Sequence, residues 1–225
     1  MKAVLFDFGG TIDTDGVHWS EKFWEFYERF SVPVKKSDFE KAFVATEKEL
    51  GDVPVLKQAT FYETLRKQLS LQFKMLGLSA RDGVMQSMLD ACYADIDATV
   101  QRTKPMFEQL TMRYRLGVVS NFYGNLEVVC REFELYKYFT TLIDSVVVGL
   151  RKPDPAIWSL ALKNLEVKPV NAWVVGDSYE RDIVPAKQLG CNTVWLKRKS
   201  WAMPPSTEAA NHTIQKFEEI KSILL

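Results

Sequence analysis

The feature that most constrains the fold is a short apolar run, residues 2–6, that leads directly into Asp7. A run of this kind is typical of a strand buried on both faces of a parallel sheet. Gly9 and Gly10 follow, and a glycine pair allows a sharp turn and a close approach of the backbone to a ligand. Since open α/β sheets bind ligands at the carboxyl ends of their strands, Asp7 is predicted to lie at a binding site. The alternative role for Asp7 is to cap the turn that follows.

Beyond residue 104 the sequence alternates short apolar runs with helical periodicity. The apolar runs predict four further strands, at residues 116–120, 145–149, 172–176 and 193–196. The intervening patterns predict helices at residues 105–114, 126–133, 155–165 and 181–189, and a closing helix at 214–225. Pro105, Pro155 and Pro185 are expected in first turns, where a missing N–H is tolerated. Because strands that alternate with helices form parallel sheets with right-handed crossovers, the predicted fold class is α/β.

Residues 19–99 show helical periodicity and no convincing strand. On the first predicted helix, aromatic side chains recur at three and four residues: Trp19, Phe23, Phe26, Tyr27 and Phe30. Such a stripe is more typical of packing than of stacking against a base or a cofactor.

Three more amphipathic helices are predicted in the same region. A capping box, Ser37 to Glu40, predicts the start of the second helix, which ends at Gly51. The third helix carries apolar residues from 61 to 73, and the fourth begins at Ser79. Amphipathic helices in sequence bury their stripes against one another or against a neighbouring domain. We therefore predict a helical bundle, residues 16–99, inserted into a core of residues 1–15 and 100–225.

Composition narrows the class of partner. The 225 residues are 47% apolar and 26% charged, as in ordinary globular proteins. The 29 basic and 29 acidic side chains cancel, so nothing indicates a nucleic-acid or membrane partner. No apolar run approaches the roughly 20 residues of a membrane helix, and the first strand leaves no room for a signal peptide. The cysteines lack CxxC spacing, so we expect reduced thiols in a cytoplasmic protein: Cys92, Cys130 and Cys191.

Acidic residues follow two of the predicted strands. Asp7 and Asp177 each end a strand, and Asp182 follows within one turn of a helix. Carboxylates gathered at one sheet edge repel one another unless a cation joins them, and oxygen ligands favour Mg²⁺. Lys152 can then supply positive charge, and the Ser120 hydroxyl a hydrogen bond, to an anion beside the metal. An aspartate that attacks phosphorus is an established form of covalent catalysis, so these residues fit phosphoryl transfer.

Four stretches carry a family resemblance. They are residues 7–11 (Asp-Phe-Gly-Gly-Thr), residues 118–121 (Val-Val-Ser-Asn), residues 151–155 around Lys152, and Gly176-Asp177 with Asp182. In order and spacing they resemble the four motifs of the haloacid dehalogenase-like superfamily, over the whole chain. The resemblance implies a Rossmann-like core with an all-helical cap inserted after the first motif.

The resemblance also implies a role for each matching residue. Asp7 matches the nucleophile and a metal ligand, and Gly9 matches the residue whose backbone carbonyl binds Mg²⁺. Asp177 matches the acidic metal ligand of the fourth motif. Asp182 matches the second acid there, which acts through water or orients the lysine. Lys152 matches the lysine that neutralises the nucleophile and the phosphate.

The remaining matches concern the phosphate group. Thr11 and Ser120 match hydroxyls that contact phosphate, with Asn121 beside them and the Gly10 backbone close by. Other roles remain open for these polar residues. Thr11 can cap a turn, and Ser120 and Asn121 can form an Asx turn. Lys152 can be a solvated loop residue, and Asp177 can cap the helix that follows it.

One position departs from the family pattern. In the family's phosphatases the residue two after the nucleophile is normally an Asp that protonates the leaving alkoxide, whereas this chain has Gly9. General acid–base catalysis typically contributes on the order of 10²–10⁴-fold. His18, at the entrance of the helical region, is the candidate for a replacement acid and substrate contact, with Asp13 and Asp15 nearby.

Other branches of the family tolerate a non-acid at that position. Phosphonoacetaldehyde hydrolases use a cap lysine as a Schiff base, for which the candidates are Lys22, Lys35, Lys36, Lys41 and Lys48. Two-haloacid dehalogenases need no Mg²⁺, and the Gly176-Asp177 pair argues against that chemistry. A third alternative is a protein that binds a phosphorylated ligand without turnover.

The function predicted from these residues is Mg²⁺-dependent hydrolysis of a small phosphorylated metabolite through an aspartyl-phosphate at Asp7, with slow turnover of ordinary sugar phosphates. The cap is expected to choose the substrate by closing over the site. The alternatives are a non-catalytic phospho-ligand binder and a phosphonatase-like or dehalogenase-like hydrolase. The sequence leaves the substrate and the oligomeric state open.

Overall fold

The computed structural model describes residues 1–51, 56–78, 83–199 and 207–225. Its centre is a six-stranded parallel sheet with strands β1 Ala3–Phe6, β2 Arg115–Ser120, β3 Thr141–Asp144, β4 Ala172–Gly176, β5 Asn192–Leu196 and β6 His212–Ile214. The strand order is β3-β2-β1-β4-β5-β6, and each neighbouring pair is parallel. The predicted α/β fold with a Rossmann-like parallel sheet is therefore confirmed.

Four helices connect β1 to β2: α1 Trp19–Arg29, α2 Lys36–Gly51, α3 Phe61–Met75 and α4 Val84–Thr111. The later helices alternate with the strands: α5 Leu126–Glu132, α6 Ser145–Val148, α7 Pro155–Asn164, α8 Val184–Gln188 and α9 Lys221–Leu224. The helical character of residues 19–99 thus holds for the part of that region that the structure describes. The start predicted at Ser79 lies outside the described residues, and the division into a cap and a core stays a prediction.

Residues of β1 alternate between two hydrophobic clusters, which places the strand at the centre of the core. Val4 and Phe6 belong to a large cluster that continues through α1 to α4. Ala3 and Leu5 belong to a second cluster, in which Trp158 of α7 is fully buried. The prediction that the first strand is buried on both faces is confirmed.

The aromatic stripe of α1 packs into the large cluster. Phe23, Phe26 and Tyr27 are buried there, which confirms the packing role predicted for these three side chains. The three cysteines are free and buried. None of the described helices is both long and apolar enough to span a membrane.

The third strand was predicted in the wrong place. It is Thr141–Asp144, and the valine-rich run that follows forms the short helix α6. The Asp144 side chain accepts a hydrogen bond from the backbone N–H of Val146, so it caps α6. Val147 is 67% exposed, so this run lacks the burial that would stabilise it as a central strand. Capping therefore outweighed the β propensity of valine.

The helix predicted to start at Pro105 was also wrong, because α4 continues through this proline to Thr111. A proline inside a helix costs about 3 kcal/mol. The helix buries Val100, Phe107 and Leu110 on either side of Pro105, and each such side chain contributes roughly 1.5–3 kcal/mol. Packing on both sides of the proline thus outweighs the lost hydrogen bond.

Two further boundaries differ from the predictions. Ser37 is not an N-cap, because α2 already begins at Lys36. A capping box occurs instead at the start of α3, between Thr60 and Glu63. The C-terminal stretch contains β6, a 3₁₀ turn and α9 rather than one helix. β6 forms because it pairs in parallel with β5. The sequence did not reveal this strand, since three residues are too few to show a strand pattern.

Candidate active site

The strand order brings the polar ends of three strands together. β1 lies between β2 and β4 in the sheet. Asp7 follows β1, Ser120 ends β2 and Asp177 follows β4. Because the three strands are parallel, these side chains meet at one edge, at the carboxyl ends of the strands.

Three carboxylates form a cluster at this edge. Asp7, Asp177 and Asp182 each offer an oxygen within 4.8 Å of the others. Two glycines permit this approach. Gly10 has a φ of +96°, and a Cβ there would lie 2.5 Å from Asp177 Oδ2. A Cβ on Gly176 would overlap the Asp182 carboxyl group.

Lys152 lies inside the carboxylate cluster. Its Nζ is 2.6 Å from Asp7 Oδ1 and 2.7 Å from Asp182 Oδ1, and the residue is 5% exposed. Burial lowers the pKa of Lys152, but the charges and hydrogen bonds of Asp182 and Asp7 outweigh burial and raise it above its usual value. The ammonium group is therefore charged, and a solvated loop position is ruled out by its burial.

Asn121 positions this lysine through its backbone. The side-chain Oδ1 accepts a hydrogen bond from Lys152 N at 2.9 Å, and Nδ2 donates to Lys152 O at 3.0 Å. Asn121 also lines the cavity described below. Both ends of the Asn121 amide are thus bonded to the backbone of Lys152. The sequence predicted a substrate contact for Asn121 and not this role.

The carboxylates hold excess negative charge. Burial, followed by the charges of Asp7 and Asp182, raises the pKa of Asp177 well above its usual value. Burial raises the pKa of Asp182 to about 6, with Lys152 opposing and Asp7 adding to the shift. One lysine does not balance three carboxylates, so this all-oxygen donor set fits a divalent cation.

Thr11 lies behind the cluster. Its Oγ1 accepts a hydrogen bond from Asp177 N at 3.0 Å and lies 3.4 Å from Asp177 Oδ1. Thr11 is fully buried, and the adjoining Gly10 is also buried. Thr11 therefore contacts Asp177 directly, whereas Ser120 lines the cavity at the end of β2.

A cavity of about 490 Å³ opens above the carboxylates. This volume lies within the range of about 300–1,000 Å³ that is usual for small-molecule sites. Its floor includes Asp7, Gly9, Ser120, Asn121, Lys152 and Asp177, and its opposite wall comes from α1, α2 and α3. Several cavity residues were missed. Arg151 lies beside Lys152 in the third motif but was given no role, and the others belong to no motif: Glu47, Gln68, Tyr123 and Arg181. That these residues line the cavity becomes clear only when the structure shows which way their helices and loops face.

With this geometry in place, comparison with known proteins decides the family. The family model described as haloacid dehalogenase-like hydrolase matches residues 1–190. The chain belongs to the haloacid dehalogenase-like hydrolase family. The resemblance seen in the four motifs is thereby confirmed.

Curated relatives of this hydrolase align over part of their length. Haloacid dehalogenase-like hydrolase domain-containing protein 3 of Danio rerio is 33% identical over 108 residues, which is 48% of this chain and 45% of the relative. Glyceraldehyde 3-phosphate phosphatase of Pyrococcus furiosus is 42% identical over 117 residues, or 49% of this chain and 48% of the relative. The chain thus spans about half the length of these relatives.

Solved structures share the fold of this hydrolase over its full length. A HAD phosphatase from Thermococcus onnurineus matches with a TM-score of 0.56 and 23% identity, covering 100% of this chain and 98% of that one. A dehalogenase with an intermediate complex matches with a TM-score of 0.67 and 19% identity, covering 100% and 97%. At these identities the likeness shows the fold alone.

At the position that departs from the family pattern, an indole takes the neighbouring space. A Cβ on Gly9 would lie 3.7 Å from the Trp19 ring, an ordinary contact. Trp19 Nε1 donates to Asp13 Oδ2 at 2.9 Å, and Gly10 N donates to Asp13 Oδ1 at 2.7 Å. Burial raises the pKa of Asp13 to about 7, although both hydrogen bonds oppose the shift. Asp13 is fully buried and thus holds the first-motif loop against α1.

His18 lines the cavity of this hydrolase as the N-cap of α1. Its Nδ1 is 2.6 Å from Ser20 Oγ and accepts from Ser20 N at 3.3 Å, which places the proton of the neutral ring on Nε2. Burial, with the charge of Arg181, lowers the pKa of His18. The imidazolium form needed by a general acid is therefore disfavoured. Asp15 instead pairs with Arg198, at 2.8 Å.

The lysines proposed for Schiff-base chemistry lie elsewhere. Lys22, Lys36 and Lys41 form ion pairs with Asp95, Glu21 and Asp38 respectively. The cavity wall includes neither these three nor Lys35 and Lys48. The structure thus gives no support to a cap lysine as a covalent catalyst among these five.

Proposed function

We propose that this haloacid dehalogenase-like hydrolase is a Mg²⁺-dependent phosphatase of a small phosphorylated metabolite. The observation that carries the proposal is Lys152 buried between Asp7 and Asp182, beside Asp177, on the floor of a cavity of small-molecule size. The name of the Pyrococcus furiosus relative, a glyceraldehyde 3-phosphate phosphatase, adds support for a phosphorylated substrate.

The carboxylates of Asp7, Asp177 and Asp182, with the Gly9 carbonyl, would hold the metal ion. Their crowding within 4.8 Å and the raised pKa values of Asp177 and Asp182 fit such a cation. When bound, Mg²⁺ supplies positive charge that offsets the phosphate and the carboxylates.

Asp7 is proposed as the nucleophile. Its Oδ1 accepts a hydrogen bond from Phe8 N at 2.7 Å and pairs with Lys152. Oδ2 accepts no hydrogen bond from the described residues and is the oxygen assigned to the attack. It forms a bond to phosphorus while the bond from phosphorus to the leaving oxygen breaks, and the leaving oxygen takes the electron pair.

Lys152 and Ser120 act on the transferred group. The Lys152 ammonium offsets the charge of the phosphoryl oxygens, and the Ser120 hydroxyl donates a hydrogen bond to one of them. Water then attacks phosphorus, which releases inorganic phosphate and restores the Asp7 carboxylate. Gly9 offers no proton, so the leaving alkoxide is protonated by solvent, and esters with good leaving groups react faster.

The test measures phosphate release from a panel of phosphate esters, with Mg²⁺ and with EDTA. Wild type is expected to be active only with Mg²⁺, and Asp7→Asn to be inactive because it lacks the nucleophile. Gly9→Asp keeps or raises activity, by up to about 10²-fold for alkyl esters, because it supplies the missing acid. Unchanged release by Asp7→Asn would remove the nucleophile claim, and Mg²⁺-dependent binding without release would identify a non-catalytic binder.

A further inference from the structure

A polar cluster joins the helices to the sheet across the cavity. Glu47 of α2 accepts hydrogen bonds at Oε1 from Gln68 Nε2 of α3, at 2.5 Å, and from the Tyr123 hydroxyl, at 2.8 Å. Gln68 Nε2 also lies 2.8 Å from the Tyr123 hydroxyl. All three residues line the cavity, and Tyr123 lies in the loop that follows β2.

One oxygen of Glu47 is left for a ligand. Both hydrogen bonds go to Oε1, and Oε2 accepts none from the part of the chain that the structure describes. Burial raises the pKa of Glu47, and the two donors oppose that shift. Glu47 is half-buried, and a carboxyl group held in this way gains from a further hydrogen-bond partner. Oε2 is therefore available to a hydrogen-bond donor in the cavity.

The cluster lies within reach of a small molecule bound at the carboxylates. Tyr123 is three residues after Ser120, and three residues span at most roughly 10 Å. Ser120, Tyr123 and Glu47 line the same cavity, so a small molecule whose phosphate lies beside Ser120 can reach Glu47.

The surrounding charges favour a neutral donor. The positive charges of Arg151 and Arg181 act on Glu47 and lower its pKa. They offset part of the attraction of the carboxylate for an ammonium group, and the carboxylate itself disfavours a second anion. A hydroxyl group carries the hydrogen that Glu47 can accept without either penalty. The aromatic rings of Trp19, Phe43, Phe61 and Phe122 give the rest of the wall apolar surface, which suits C–H groups.

We propose that Glu47, oriented by Gln68 and Tyr123, recognises a hydroxyl group of the substrate, and that the substrate is the phosphate monoester of a polyol or sugar. The inference rests on the proposed function, because it takes the phosphate to be held at Asp7 and Lys152. It names the class of leaving group and assigns its selection to the cap-side cluster.

The experiment compares matched phosphate esters. Polyol phosphates of three to six carbons are each paired with the unsubstituted alkyl phosphate of the same length, and 4-nitrophenyl phosphate reports on the chemistry. Wild type is expected to prefer the best polyol phosphate over its alkyl match by roughly ten- to hundredfold in kcat/KM, the value of one hydrogen bond to a charged group. In Glu47→Gln and Glu47→Ala that preference shrinks toward one, and in Tyr123→Phe it falls part of the way.

The matched control is Glu49→Gln, on an exposed position of the same helix outside the cavity wall. It is expected to keep both the activity and the preference of wild type. Comparable melting temperatures show that the variants fold.

Several results would overturn the inference. One is a wild type with no polyol preference at any chain length, and another is a preference that survives in Glu47→Ala. A third is an equal loss of kcat/KM in Glu47→Ala for the polyol phosphate and its alkyl match, with activity on 4-nitrophenyl phosphate unchanged. That result would make Glu47 a proton donor to the leaving group instead. Calorimetry of ester binding to Asp7→Asn with Mg²⁺ separates the two proposals. If this variant binds polyol phosphates more tightly than their alkyl matches while wild type releases no phosphate, only the phosphatase assignment is overturned.

Discussion

Residues without side chains set the spacing of the acidic cluster. Gly10 holds a φ of +96° directly against Asp177, and Gly176 lies against Asp182. Each gap that a Cβ would fill is occupied by a carboxyl group. The backbone at these two glycines therefore leaves room for the close approach of the carboxylates.

Gly10→Ala tests this at the level of one methyl group. The new Cβ would lie 2.5 Å from Asp177 Oδ2 and would push that carboxyl out of the cluster. Phosphate release is expected to fall at least about tenfold. The free energy of unfolding is expected to fall as well, by the roughly 1–2 kcal/mol that a positive φ costs in a non-glycine residue. The measurements are phosphate release with Mg²⁺ and urea unfolding.

Gly190→Ala is the matched control for Gly10→Ala. Gly190 has a φ of +87°, and the nearest atom to an added Cβ, on Pro169, is 4.0 Å away. This variant carries the same backbone strain without touching the cluster, so its phosphate release should match that of wild type. Equal losses of activity in the two variants would mean that strain, and not the position of Asp177, explains the effect.

At this scale the sequence indicated the motif residues but not the cavity wall. Asp7, Asp177, Asp182 and Lys152 were predicted to share a site because strand ends meet at one edge of a parallel sheet, and the structure brings them together. Glu47 was not predicted, since it lies in an ordinary polar stretch of an amphipathic helix. Which way a helical side chain faces depends on packing that no single sequence displays.

Among the elements, the end of β3 shows how one carboxylate can redirect the chain. Asp144 accepts hydrogen bonds from Gly124 N, Leu126 N and Val146 N, at 2.8, 3.1 and 3.0 Å. The residue is 5% exposed. It therefore ends the strand, starts α6 and fixes the loop before α5.

Asp144→Ala should destabilise the protein by roughly 2–4 kcal/mol, because three N–H groups lose their acceptor in a buried place. Asp154→Ala is the comparison, since exposed Asp154 caps α7 by accepting one hydrogen bond from Ala156 N. Its expected cost is about 1 kcal/mol. The free energies of unfolding in urea measure both, and equal costs would contradict the role given to Asp144.

The same residues explain which elements could be predicted. The strands β1, β2, β4 and β5 are apolar runs near the centre of the sheet, and each was located within one or two residues. β3 is four residues long and is followed by a more apolar run, so the pattern pointed to the wrong segment. The continuous helix through Pro105 depends on burial on both sides of the proline, which local propensity does not include.

In the whole molecule, the fold places the acidic cluster at one sheet edge and the wall proposed to select the substrate opposite it. Parallel strands in the order β2-β1-β4 deliver the carboxylates and Ser120, whereas α1, α2 and α3 supply the facing wall. The floor carries the motif residues of the haloacid dehalogenase-like family, whereas the wall residues of α1, α2 and α3 belong to none of the four motifs. The family and the α/β fold were therefore predictable from the sequence, whereas the proposed substrate class depends on the wall.

The measurement that tests the central claim most directly is a search for the phosphoryl group on Asp7. Wild type is mixed briefly with 4-nitrophenyl phosphate and Mg²⁺, quenched in acid, and the N-terminal peptide is analysed by mass spectrometry. One phosphoryl group is expected on Asp7 in wild type, and none with EDTA or in Asp7→Asn. Phosphate release that continues in Asp7→Asn, with no phosphoryl group on this peptide at any time, would contradict the central claim.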